Sequence, residues 1–176
     1  MFVGVLRSFL EVIVVDLSKI KFVISEIDGI VTEHLSGIGE MGVTMFKQYY
    51  MKDFEAINLI KKDWGFAFLS SDPAVSLSTC KKKNIPFFYA ERNKREVYNM
   101  LLNRYNLTPD NVLYVAGSYS DIECLRMSGV SMCPEDAVIQ VKNIVDEIIP
   151  LYGGTGVLCY VYETLLKFKL NKNREV

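Results

Sequence analysis

The chain lacks the features that mark several common protein classes. It carries one histidine, His34, and four scattered cysteines, Cys80, Cys124, Cys133 and Cys159, with no Cys-x-x-Cys pair. A zinc centre needs clustered thiolates and imidazoles, so none is expected, and the cysteines read as small buried hydrophobes in a reducing compartment. Charge of one sign is also missing: 20 Lys+Arg against 21 Asp+Glu leave a net charge of −1 and no electrostatic footprint for nucleic acid. Basic residues gather only near the end (Lys167, Lys169, Lys172, Arg174), where 167–176 reads as a solvated tail. No apolar run reaches membrane length, because Arg7, Glu11 and Asp16 interrupt Met1–Leu17. No basic segment precedes that run and no small-residue cleavage site follows it, which argues against a secretory leader. Leu6, Leu10, Ile13 or Val14, and Leu17 repeat at helical spacing, so an amphipathic helix over 1–18 and a cytoplasmic protein are expected. Repeats, low-complexity tracts and linkers are absent as well. One domain over 1–176 is expected, its 50% hydrophobic content being enough for a sizeable core.

What is present is a regular alternation. Apolar, β-rich runs at Ile20–Ile24, Phe66–Leu69, Pro86–Tyr89, Asn111–Ala116 and Val130–Cys133 read as strands. Between and after them, helical patterns cover Asp53–Asp63, Pro73–Lys83, Asn93–Tyr105, Ser120–Met127, Glu135–Ile148 and Thr155–Leu170. Such an order predicts an α/β fold: a doubly wound, Rossmann-like parallel sheet with helices on both faces. One segment breaks the rhythm. Over 33–50, Gly37, Gly39 and Gly42 precede the alternating, β-rich Val43–Tyr50, which predicts a β-hairpin flap after the first strand.

The first strand empties into Glu26-Ile27-Asp28-Gly29-Ile30-Val31-Thr32. Two carboxylates two residues apart at the end of a parallel strand point the same way, toward the edge where such folds bind ligands. Read without reference to any family, Ser70-Ser71-Asp72-Pro73 is a helix start, Lys94 a solvated helix lysine and Gly153–Gly156 a turn.

The strand-end motif resembles the Asp-x-Asp-Gly-x-[Val/Leu]-Thr loop of haloacid-dehalogenase-like phosphatases, with Glu26 in place of the first aspartate. Further elements follow in order: Tyr50-Met51-Lys52-Asp53, Ser70, Lys94, Tyr114–Asp121 and Gly153-Gly154-Thr155-Gly156. Together they are similar to the cap-less 3-deoxy-D-manno-octulosonate 8-phosphate phosphatase branch and to the domains that end animal-type CMP-sialic acid synthetases. The resemblance implies Glu26 as nucleophile, Asp28 as general acid–base, Ser70 on the phosphoryl oxygens and Lys94 as counter-charge. It implies Lys52, Asp53, Gly153 and Gly154 near the substrate, a phosphorylated sugar acid. Glu26, Asp28 and Asp121 would hold Mg2+ if any metal binds, and a homo-oligomer, a tetramer with meeting flaps, is implied. Two departures bear on activity. Glu26 lengthens the nucleophile by one methylene, and Gly117 and Ser118 fall where the family carries paired acids. The expectation is a phosphatase-like domain with impaired turnover, used for assembly or ligand binding. The alternative is a weak Mg2+-dependent phosphatase.

Overall fold

A computed structural model describes residues 16–172. Its centre is a six-stranded, all-parallel sheet made of β1 (Phe22–Ser25), β4 (Gly65–Ser70), β5 (Phe87–Tyr89), β6 (Val112–Val115), β7 (Val130–Pro134) and β8 (Glu147–Ile149), in the order β5-β4-β1-β6-β7-β8. β1 lies in the middle, pairing Phe22 with Gly65 on one side and with Val112 on the other. Buried on both faces, it reads in sequence as a continuous apolar run.

The strand period of two deals its side chains alternately to the two faces. Val23, Phe66, Phe68, Leu113 and Val115 meet α1 (Met51–Ile60) and α6 (Val157–Lys172) through Phe54, Ile57, Val161 and Leu165. Ile24, Ala67, Leu69, Val112 and Tyr114 face α3 (Lys94–Tyr105) and α4 (Ile122–Met127) through Tyr98, Leu101, Cys124 and Leu125. The doubly wound architecture is therefore as expected. α2 (Ala74–Lys82) contributes Cys80 to the first of these cores. The flap is present as a two-stranded antiparallel sheet, β2 (Thr32–Ile38) with β3 (Thr44–Tyr49), its register shifted by bulges near Gly37.

Three expected boundaries change. The helix expected over Glu135–Ile148 is helical only at α5 (Ile139–Lys142), and the chain then becomes edge strand β8. Asp146 dictates this: its Oδ2 accepts from the Ser131 amide and hydroxyl, both at 2.8 Å, and lays the following residues along β7. The tail expected over 167–176 is helical as far as Lys172, because Phe168 packs on the core and Lys169 pairs with Asp63 at 2.6 Å. The helix expected over 1–18 falls mostly outside the described residues. Its last three are not helical, and Ser18 donates its amide to Asp16 Oδ1 at 2.9 Å ahead of β1. Among the described residues, no helix is long and apolar enough to cross a membrane.

Candidate active site

Parallel strands end together, so β1, β4 and β6 bring their following loops to one edge. Glu26 continues β1, its amide still bonded to Val115 O at 2.9 Å, before the chain turns through Gly29 at φ +77°. Gly153 and Gly154 pack behind this turn. A Cβ on Gly153 would collide with the Gly29 carbonyl, and the Gly154 amide donates to Ile30 O at 2.8 Å. The structure thus uses these two glycines for close backbone approach, and neither lines the cleft between the loops.

That cleft is small, about 220 Å3, and is lined by Glu26, Asp28, Ser71, Asp72, Ser118 and Ser120. Two buried lysines pair with the carboxylates that line it. Lys94 opens α3, after Asn93 has capped that helix by accepting from the Glu96 amide at 3.1 Å. Lys94 is buried rather than solvated. Its ammonium donates to Glu26 Oε2 and, at 2.7 Å, to Asp121 Oδ1, which also accepts from the Tyr114 hydroxyl at 2.9 Å. Burial alone would lower the Lys94 pKa, but the two carboxylates outweigh it and hold the ammonium protonated. Glu26 is pushed the other way for a carboxylate: burial, reinforced by the Asp121 charge and opposed by Lys94 and Ser70, raises its pKa. Two carboxylates sharing one buried ammonium leave a negative charge in excess, and Glu26 absorbs that imbalance.

Lys47 is the residue that sequence reasoning missed. It comes from β3 of the flap, its side chain wholly buried, and donates to Asp28 Oδ2 at 2.8 Å, Ser76 Oγ at 3.1 Å and Asp72 Oδ2 at 3.0 Å. Burial opposes its charge, but Asp28 and Asp72 raise its pKa above the ordinary lysine value. Asp72 is lowered despite partial burial by the same ion pair and by its bond from the Ala74 amide. A signal existed: Lys47 shares the period-2 face of its strand with Tyr49, which packs inward on Phe54 at 5.5 Å between ring centroids.

The other expected site residues separate. Ser70 is fully buried at the end of β4, its Oγ accepting from the Asp72 amide at 3.4 Å. It does not cap α2; Asp72 Oδ1 accepts the Ala74 amide at 3.0 Å instead. Asp53, expected near the substrate, is fully buried, and its Oδ1 accepts from the Leu158 and Cys159 amides at 2.9 and 3.0 Å. It therefore caps α6. Lys52 is exposed beside a separate cavity with Tyr50, Thr155 and Glu163.

The side chains expected to hold a metal are engaged by other partners. One oxygen of Glu26 and one of Asp121 are committed to Lys94, the other Glu26 oxygen accepts the Ile27 amide at 2.9 Å, and Asp28 is committed to Lys47. Asp121 Oδ2 has no partner but is fully buried, and Gly117 and Ser118 supply no carboxylate. Among the described residues no three His, Cys, Asp or Glu side chains are grouped to hold a metal, so Glu26, Asp28 and Asp121 do not form the expected cage.

The doubly wound parallel sheet, with a small antiparallel flap beside the strand-end acids, matches the haloacid-dehalogenase-like fold. Comparison with known proteins finds the chain homologous to the 3-deoxy-D-manno-octulosonate 8-phosphate phosphatases. It is 27% identical over 157 residues to the Haemophilus influenzae enzyme, covering 86% of this chain and 85% of the relative. The Escherichia coli K12 enzyme is 23% identical, covering 84% and 80%. The cobalt-bound structure of the Haemophilus influenzae phosphatase superposes with a TM-score of 0.80 at 26% identity, covering 86% of this chain and 90% of the other. The Moraxella catarrhalis phosphatase, solved with magnesium, phosphate and a KDO molecule, shares the fold with a TM-score of 0.79 at 19% identity, covering 86% and 88%. No family model matches the chain.

Proposed function

We propose that this protein is a phosphatase-like domain of sugar-acid phosphate metabolism in which turnover is impaired and the scaffold serves assembly or ligand binding. One observation carries the reading. Lys94 is clasped by Glu26 and Asp121, while Gly117 and Ser118 supply no carboxylate to the cleft. A nucleophile held in that clasp and lengthened by a methylene is poorly placed, and a misplacement near 1 Å costs roughly a hundredfold in rate. Asp28 is engaged by Lys47 at 2.8 Å.

Assembly is supported by the flap, where Leu35, Ile38, Met41, Met45 and Phe46 are exposed on a short hairpin. A second copy of the chain is the proposed occupant, in a homo-oligomer of tetrameric type. Kinship with CMP-sialic acid synthetase domains is part of the same proposal, because those domains also depart from the fourth-motif acids.

A second reading, slow Mg2+-dependent hydrolysis of a phosphorylated sugar acid through Glu26, is favoured by the surviving cleft and by Asp28 standing two residues beyond the nucleophile position. Hydrolysis of p-nitrophenyl phosphate with magnesium separates the two. The proposal expects wild type and Asp28→Asn to be indistinguishable near background. Strong wild-type turnover that Asp28→Asn abolishes would establish the enzyme instead.

A further inference from the structure

A cavity of about 500 Å3 lies away from the cleft, where α1, α2 and α3 end and β5 begins. This is the opposite edge of the sheet from Glu26, since helices in a doubly wound fold run back against the strands. Its volume is in the range of small-molecule sites.

Two properties distinguish it. The first is charge: Lys61, Lys81 and Arg104 line it and no carboxylate does. None of the three is ion-paired among the described residues, in a chain whose net charge is −1. Cations at helix C-termini ordinarily answer the macrodipole, but each helix end carries only about half a negative charge against a full positive one. A positive surplus remains, engaged among the described residues by the Lys61 bond to Asn84 O at 2.7 Å and by the Arg104 contact with the Phe88 ring. The second is an ordered aromatic wall. Tyr105 stands between Phe22 and Phe88, with ring centroids at 4.7 and 6.3 Å, and Arg104 lies 5.6 Å over the Phe88 ring. Flat rings beside cations that have no carboxylate partner suit a ligand that is flat at one end and anionic at the other.

We propose that this cavity binds a small planar organic anion of the nucleotide class, its ring on the Phe88–Tyr105 wall and its phosphate on Lys81 and Arg104. The concave shape favours a small molecule over a nucleic-acid strand or a membrane surface. The site is independent of the phosphatase-like cleft, so the fate of one reading does not decide the other.

The test is an NMR titration of the 15N-labelled full chain with AMP, alongside adenosine and inorganic phosphate separately. Saturable shifts are expected at the amides of Asn84, Ile85, Phe87, Phe88 and Tyr105, with a dissociation constant on the order of 1 mM or tighter. Adenosine and phosphate alone should bind more weakly. Lys81→Ala/Arg104→Ala, with an unchanged thermal melt, should weaken AMP about tenfold or more. Shifts confined to Glu26–Asp28, affinity unchanged in the double variant, or binding to phosphatidylserine vesicles but not to AMP would overturn the proposal.

Discussion

Lys47 shows what a single side chain decides here. It is the only fully buried cation that the flap sends into the body of the protein among the described residues, and it draws Asp28, Asp72 and Ser76 around one ammonium. Removing one partner of a fully buried ion pair costs ~3–5 kcal/mol. Asp28 and Asp72 keep 27% and 33% of their side chains exposed and can rehydrate, so Lys47→Met should cost about 1–2 kcal/mol in urea unfolding. The same variant should speed amide exchange in β2 and β3. Unchanged stability and exchange would mean the flap is held by something else. Asp72, lowered by this pair, should add stability that is present above the unfolded carboxylate pKa and is lost as pH falls through its lower folded value. Residue-level legibility was uneven for a physical reason. Glu26, Asp28 and Lys94 stand in local motifs, whereas Lys47 gains its role from a hairpin folding back over 19 residues onto Asp28.

At the scale of elements, strands and long helices were readable because their burial is periodic: β1, β4 and β6 appear within a residue or two of the apolar runs that announced them. The segment after β7 was not, because Asp146 reaching Ser131 is a side-chain bond across 15 residues that no local pattern reports. Asp53 is a similar case, a motif residue whose partners lie at the start of α6. Burial raises its carboxyl to about 6, against the opposing hydrogen bonds from Cys159 and Leu158. Between the unfolded value near 3.8 and about 6 the native state holds a proton that the unfolded chain has released. Stability from this group therefore falls as pH rises through that window and levels off above it, by at most about 3 kcal/mol. Asp53→Asn keeps the capping oxygen and removes the charge, so it should flatten that slope and be at least as stable as wild type at pH 7.5. Asp53→Ala should lose about 1–2 kcal/mol at pH 7.5, as cap deletions do, and more than that at pH 4.5, where wild type also has the stability of the held proton. Urea unfolding at pH 4.5 and 7.5 checks both, and a wild-type slope retained in the Asn variant would contradict the assignment.

For the whole molecule, the sheet order places every site loop on one edge and projects the flap beside it, which follows from the alternation visible in the sequence. The flap's outward side chains are a separate matter, since strand alternation alone left open what would cover them. Phe46→Glu together with Met45→Lys should reduce the mass measured by light scattering toward a monomer while leaving the thermal melt near wild type. An unchanged mass would remove the flap from assembly. The charge balance at the cleft is the central claim, and it can be restored by design. A Cβ on Gly117 would meet no atom closer than 3.4 Å, the Ala137 methyl, so an aspartate can begin there without displacing backbone. The most direct measurement is the rate of p-nitrophenyl phosphate hydrolysis with magnesium for wild type beside Glu26→Asp/Gly117→Asp. The predicted result is background turnover in the first and a rise of about a hundredfold or more in the second. Efficient hydrolysis by wild type that the double variant fails to exceed would contradict the account.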